Sequence, residues 1–228
     1  MGFCFMERMT SVEKSAMRIR DLILQGKYIP GQLLPQRKVA VELGVSPIVV
    51  RESFRILEQE GMVECVPKWG AHVASFQFDK LKERYLLREA LEGTAARIVS
   101  ERIDARQISG LHEAADNVDR LFADPDSDVG ELGATHSQFH NSIAELSGCK
   151  EIVDFLRRIN NQQLVWITSR IVNVKKVVQP PSWHRMLVDS LAGHDPDEAE
   201  KAMRLHVRKG FEDIIDSLEK DWRKSSVC

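Results

Sequence analysis

One stretch, residues 42–57 (ELGVSPIVVRESFRIL), constrains this chain more than any other. Gly44 relieves the backbone where one helix must end and the chain turn. Ser46 can cap the next helix, and Pro47 fits its first position, where a missing N–H costs nothing. Val50, Phe54 and Leu57 then recur at helical spacing and should face inward. Arg51 and Arg55 share a different face, free to reach a partner. Two short helices joined by a glycine turn, with arginines outside on the second, suit the major groove of DNA.

The flanking residues complete a small domain. Thr10 with Glu13 makes a capping box for a first helix, whose stripe is Val12, Ala16, Ile19 and Ile23 and which ends near Gly26. Pro30-Gly31 is a turn signal. A helix over 36–43 leads into Gly44, and the helix over 46–60 is closed by Gly61. Runs 62–66 and 71–75 are strand-like and flank Pro67-Lys68-Trp69-Gly70, which predicts a hairpin, or wing, with Gly70 near its tip. Three helices and a wing make a winged helix-turn-helix over residues 1–75.

Charge becomes informative only when the chain is divided. Residues 1–75 carry 10 Lys+Arg against 8 Asp+Glu, and the remainder carries 22 against 26, so the head is net +2 and the rest −4. That excess is too small to identify a nucleic-acid binder unaided, so the motif carries the argument. No run of about 18 apolar residues exists, so no membrane span is expected. The N-terminus lacks the pattern of a secretory signal. Cys4, Cys65, Cys149 and Cys228 lack CxxC spacing and read as free thiols in a reducing cytoplasm.

Beyond residue 75 the strand pattern stops. Residues 76–79 read as a linker, and 80–228 as a second domain. A helix begins at Asp79 and runs to about 102. Asp104 can cap another to about 123, and further helices cover about 129–146 and 150–174. Pro180-Pro181 breaks the pattern, Ser182 can cap a fifth helix to 192, and Asp195 with Glu198 starts a sixth ending near 223. The fold class is therefore mainly α: an N-terminal winged helix-turn-helix plus a C-terminal antiparallel bundle of about six helices.

Four of the seven histidines fall on inward faces of that bundle. His136 and His140 lie one turn apart within the stripe of Leu132, Phe139 and Ile143. His184 aligns with Leu187, Val188 and Leu191, and His206 with Ala199, Ala202 and Met203. A lone inward histidine is usually a hydrogen-bonded core residue. Four converging ones are hard to satisfy that way, whereas a transition metal takes them all as neutral imidazoles. Zinc or nickel suits such a nitrogen set better than manganese. Arg88 and Glu92 form a second inward polar pair, and an ion pair holding the bundle is one reading of it.

The head resembles the GntR family of bacterial transcription regulators. The matching residues are Gly26, Pro30-Gly31, Leu34, Ala40, Leu43-Gly44-Val45-Ser46, Val50-Arg51-Glu52, Leu57, Glu60-Gly61, Gly70 and Val73. The resemblance implies DNA contacts from Arg37, Ser46, Ile48 and Arg51, with Lys68, Trp69 and Gly70 on the wing. Pro47, Val49 and Gln36 stand where the family often has Arg, Pro and Glu. The second half resembles the FadR-type (FCD) effector domain, through Arg88, Leu91-Glu92, Phe139-His140, Ser147-Gly148, His184 with Asp195, and His206. That domain commonly holds a metal on one Asp and three His, and here the Asp position is His136. The resemblance turns Arg88 toward an effector cavity, where a guanidinium can grip a carboxylate with two hydrogen bonds. Glu92, Trp166 and Arg170 are further candidates for the same wall.

These readings converge on a homodimeric transcription regulator, in the manner of a repressor. It would bind a palindromic double-stranded operator and respond to a small carboxylate metabolite at a metal site. Two rivals stay open. One is a metal-dependent enzyme on the histidine bundle, with Glu145 and Asp189 as its acid or base candidates. The other is a DNA-binding protein whose histidines are core residues and which takes no ligand.

Overall fold

The computed structural model describes residues 9–75, 78–168 and 182–225, with side chains over 9–75, 80–161 and 182–216. Two compact units divide at residues 76 and 77, and the end of the fourth bundle helix, from Asn161, groups with the first unit.

The first unit opens with α1 (Ser11–Leu24), started by the expected capping box: Thr10 N–H donates to Glu13 Oε2 at 2.7 Å and Glu13 N–H donates to Thr10 Oγ1 at 3.2 Å. Strand β1 (Leu33–Pro35) follows, then α2 (Gln36–Leu43) and α3 (Pro47–Gln59). The turn between those helices is made as the sequence predicted. Gly44 adopts φ 66°, the left-handed region that only glycine enters without strain, and Ser46 accepts the Val49 N–H at 3.3 Å. Gln36 adds a strap across the turn, donating from Nε2 to the Pro47 carbonyl at 2.6 Å. Ile19, Ile23, Leu34, Val50, Phe54, Leu57 and Met62 are the buried core. Arg20 of α1 clasps Glu60 through a two-pronged pair at 2.6 and 3.0 Å.

Strands β2 (Val63–Val66) and β3 (Gly70–Val73) form the wing. One detail differs from expectation. The wing is not a bare hairpin, because β1 pairs antiparallel with β3 and the sheet order is β1-β3-β2. Gly70 stands near the tip as expected, opening β3 opposite both Val66 and Pro35. A Cβ there would sit 2.0 Å from the Leu34 carbonyl oxygen, so close strand approach demands the glycine. The tip is Pro67 to Trp69, with Lys68 at φ 68° making the reversal.

The second unit contains, among the described residues, six helices: α4 (Phe78–Ser100), α5 (Ala105–Ala123), α6 (Val129–Leu146), α7 (Lys150–Thr168), α8 (Trp183–Ala192) and α9 (Pro196–Ser225). Helix α4 starts at Phe78, so the expected linker over 76–79 is shorter by its last two residues. Residues 169–174, expected to continue α7, lie outside the described residues. Asp104, Asp128 and Asp195 each accept N–H groups at the start of α5, α6 and α9. Helix α4 packs along α9, α5 lies against α6 and α8, and α4 also meets α6 and α8. One expected cap fails. Ser182 sits at φ 60° and makes no side-chain cap for α8; the groups that take its place belong to the site.

Candidate metal centre and nucleic-acid interface

The reading surface of the head follows from which side chains the core leaves out. Val50, Ser53, Phe54 and Leu57 of α3 are buried, which turns Arg51 and Arg55 outward with side chains 55% and 64% exposed. Glu52 lies between them and accepts from each, Arg51 Nε and Arg55 Nη1 both at 3.1 Å. Ile48 at the start of α3 and Trp69 at the wing tip are exposed large apolar side chains, at 63% and 68%. Arg37 and Lys68 are exposed as well. Ser46 is exposed with its oxygen engaged as the helix cap, and Gly70 shapes the wing from a half-buried position.

In the bundle, the four histidines come together. One ring nitrogen from each of His136, His140, His184 and His206 lies within 4.8 Å of the others. Helix α6 delivers His136 and His140 at one-turn spacing, α8 delivers His184, and α9 delivers His206. Nε2 of His136 and Nε2 of His140 are 3.2 Å apart. That is the separation expected of two nitrogens that each sit about 2.0–2.1 Å from one cation. His184 is wholly shut from solvent, and its Nε2 has no hydrogen-bond partner. The same holds for Nδ1 of buried His206. Buried polar atoms are rarely left unpaired, and an imidazole lone pair aimed at its neighbours is what a metal ion satisfies. The donor set therefore fits a divalent transition metal.

Two carboxylates stand behind the ring. Glu92 Oε2 lies 2.6 Å from His140 Nδ1, and Arg88 Nε donates to Glu92 Oε1 at 2.7 Å. Asp119 Oδ1 lies 2.6 Å from His184 Nδ1. With each Nδ1–H given to a carboxylate, the Nε2 lone pairs of both rings turn to the cluster. The electrostatics agree. Burial, reinforced by the neighbouring rings and Arg88, pushes His136 and His206 well below the usual histidine range. Burial also lowers His184, although Asp119 pulls the other way. Burial works against the charge on Glu92, but Arg88 and His140 outweigh it and hold its pKa at about 2. The lowered values favour the unprotonated form of His136, His184 and His206, and Glu92 is held as an anion.

Aromatic walls close the cluster. The Trp183 ring lies 4.2 Å from that of His206, and Phe122 stacks on His184 at 5.8 Å between centroids. Arg88 sits over Tyr85, 4.8 Å from the ring centroid. It is almost fully buried and its charge is felt at His136 and His206. Both oxygens of Glu92 are engaged, so Glu92 orients Arg88 and His140. Trp166 and Arg170 fall outside the residues whose side chains are described. Glu145 pairs with Arg157, and Asp189 with His112 at 2.8 Å, so the two acid-base candidates are occupied elsewhere. Asp119, Phe122 and Trp183 escaped the sequence reading. Asp119 lies four residues after buried Ala115 on the edge of the α5 stripe, a signal no stronger than that of many surface acids.

A winged head with basic reading side chains, followed by a helical bundle closed around polar residues, is the plan of a two-part regulator of transcription. The chain belongs to the gntR family of bacterial regulatory proteins: that family's pattern matches residues 12–73, and the FCD domain matches residues 83–209. It is 29% identical, over 87% of its length and 82% of the relative's, to an HTH-type transcriptional regulator in an unstable DNA locus of Streptomyces ambofaciens. It is 28% identical, over 84% of its length and 85% of the relative's, to a probable D-xylose utilization operon transcriptional repressor of Paenarthrobacter nicotinovorans. In fold it resembles E. coli McbR/YncC, with TM-score 0.71 at 15% identity, covering 94% of this chain and 99% of that one. No described helix is long and apolar enough to cross a membrane.

Proposed function

We propose that this regulator senses a small carboxylate metabolite at a divalent metal held by His136, His140, His184 and His206. As a homodimer it presents two α3 helices to the half-sites of a palindromic operator. The convergence of four ring nitrogens, two of them buried without a partner, carries this reading. When bound, the metal supplies a Lewis-acidic point for a ligand carboxylate. The chain's own residues do the rest. Glu92 and Asp119 fix the ring orientations, Trp183 and Phe122 limit water, and Arg88 places a buried guanidinium beside the rings, where an anion gains from it. Effector and operator are coupled only if the effector binds one arrangement of the dimer better than the other.

In the head, Arg51 reads a base edge, with Ile48 and Trp69 adding apolar contact, while Arg37 and Lys68 neutralise phosphate. Ser46 sets the start of the helix that carries them, and Gly70 the path of the wing. Relatives named as repressors support repression as the mode of action.

The test begins with metal content by mass spectrometry of wild type, His136→Ala and His184→Ala, each stripped and reloaded with zinc or nickel. A thermal-shift screen of organic acids follows, with and without chelator. Wild type should bind one metal per chain, and some acids should raise its Tm only when metal is present. A wild type that takes up neither metal refutes the metal reading. Full metal content in His136→Ala, with loss in His184→Ala, reduces the site to three protein ligands.

A further inference from the structure

We propose that Asp119 is the positioning residue of the metal site and supplies, one bond behind His184, the negative charge that the ligand set lacks. The inference rests on the metal reading above. All four ligands are neutral imidazoles, with His136 at the position where a carboxylate is common in the family. A divalent ion there would keep its full charge unless an anion stood close by. The described residues hydrogen-bonded to the four rings include two anions, Glu92 and Asp119. Glu92 already has a cation of its own in the buried Arg88, 2.7 Å away. Among the described residues Asp119 has no such cation. Its Oδ1 takes the His184 Nδ1–H at 2.6 Å and the His184 backbone N–H at 3.2 Å, and its Oδ2 takes the Arg185 backbone N–H at 3.2 Å. The Arg185 guanidinium goes instead to Asp116, at 2.7 and 2.9 Å.

The same three bonds explain how α8 begins. Ser182 is in the left-handed region and caps nothing, so Asp119 of α5 performs the cap across the gap between helices. One carboxylate therefore fixes three things at once: where α8 starts, how the His184 ring is turned, and which nitrogen carries its proton. A carboxylate behind a ligating histidine also raises the basicity of the ring, and losing such a partner typically weakens metal binding about 10–100-fold. Against His184 the local negative charge and the helix start act together, since an anion at an N-terminus is favoured by the helix dipole.

The experiment compares wild type, Asp119→Asn, Asp119→Ala and Arg185→Ala, each stripped of metal. Zinc affinity is measured against a competing chelator, and the visible absorption of the cobalt-loaded protein reports ligand geometry. Asp119→Asn keeps an acceptor for the Nδ1–H but loses the charge. It should bind zinc about 10–100-fold more weakly with the wild-type cobalt spectrum. Asp119→Ala should bind more weakly still, with a shifted spectrum, because the ring is no longer held. Arg185→Ala, which breaks the neighbouring surface pair between the same helices, should match wild type in both. If Asp119→Asn and Asp119→Ala keep wild-type zinc affinity and spectrum while only their Tm falls, Asp119 is a helix cap alone and the inference is overturned. If Asp119→Ala fails to fold, the asparagine variant carries the decision. If wild type itself binds neither metal, the metal reading has failed, which the variants then cannot mimic.

Discussion

Arg88 Nε and Glu92 Oε1 form an ion pair at 2.7 Å, one helical turn apart on α4, with side chains only 4% and 2% exposed. Such a pair contributes little net stability over an apolar one, yet breaking it strands a buried charge. Glu92→Ala should therefore cost about 3–5 kcal/mol, measured by urea unfolding. Combining it with Arg88→Met should recover part of the loss, since the buried cation is then removed together with its counter-charge. A single variant that costs under about 1 kcal/mol would mean that water reaches the guanidinium, as for exposed pairs.

Gly70 and the Leu34 carbonyl leave no room for a Cβ between them. Gly70→Ala should part β1 from β3 and destabilise the head by about 1–3 kcal/mol, the usual range for a strained backbone position. Helix content by circular dichroism should hardly change, because the strands are short. Operator affinity should fall, because Trp69 and Lys68 ride on that sheet. Gly110→Ala, with nothing within 4 Å of the new Cβ, is the control and should leave operator affinity at the wild-type value.

Arg51 and Arg37 should fail differently. Arg51→Ala should lose about 1–3 kcal/mol of preference for the operator while keeping weak, salt-sensitive binding to any duplex. Arg37→Ala should weaken all sequences alike and reduce the slope of log affinity against log salt by about 1. Full operator preference in Arg51→Ala would remove it from the base readers.

Cys65 and Cys149 should differ in reactivity. Burial, with Glu58 hydrogen-bonded nearby, pushes the Cys65 thiol up to about 11, and the side chain is half-buried. A raised thiol pKa leaves little thiolate at neutral pH, so its alkylation should be slow and climb as pH approaches that value. Cys149 is exposed. Peptide mapping after a short iodoacetamide pulse at pH 7.5 should find Cys149 modified first, and equal rates would contradict the burial of Cys65.

Much of this protein is legible in its sequence, for a local reason. The Thr10–Glu13 box, the left-handed Gly44 and the Ser46 cap each involve residues no more than a turn apart, and their geometry follows from sequence spacing. The inward faces of Leu132, Phe139, His140 and Ile143 follow in the same way from a period of 3.6 residues. That is why the inward placement of all four histidines is legible in the sequence, although their convergence is not.

Tertiary structure decided what spacing cannot carry. Leu33–Pro35 is too short to announce a strand and becomes β1 only because β3 offers it hydrogen-bonding partners. Gly70 reads in sequence as a residue near the wing tip, and only the fold brings up the Leu34 carbonyl, 36 residues away, that leaves no room there for a side chain. Ser182 has the composition of a cap, but its backbone turned left-handed and the capping passed to Asp119, 65 residues before His184 along the chain. The sequence determined which side chains face inward, since helical periodicity is local. Only the packing of α5 against α8 and of α4 against α6 decided which carboxylate stands behind which histidine, because a hydrogen bond between helices depends on their separation in space and leaves no periodic trace in either one.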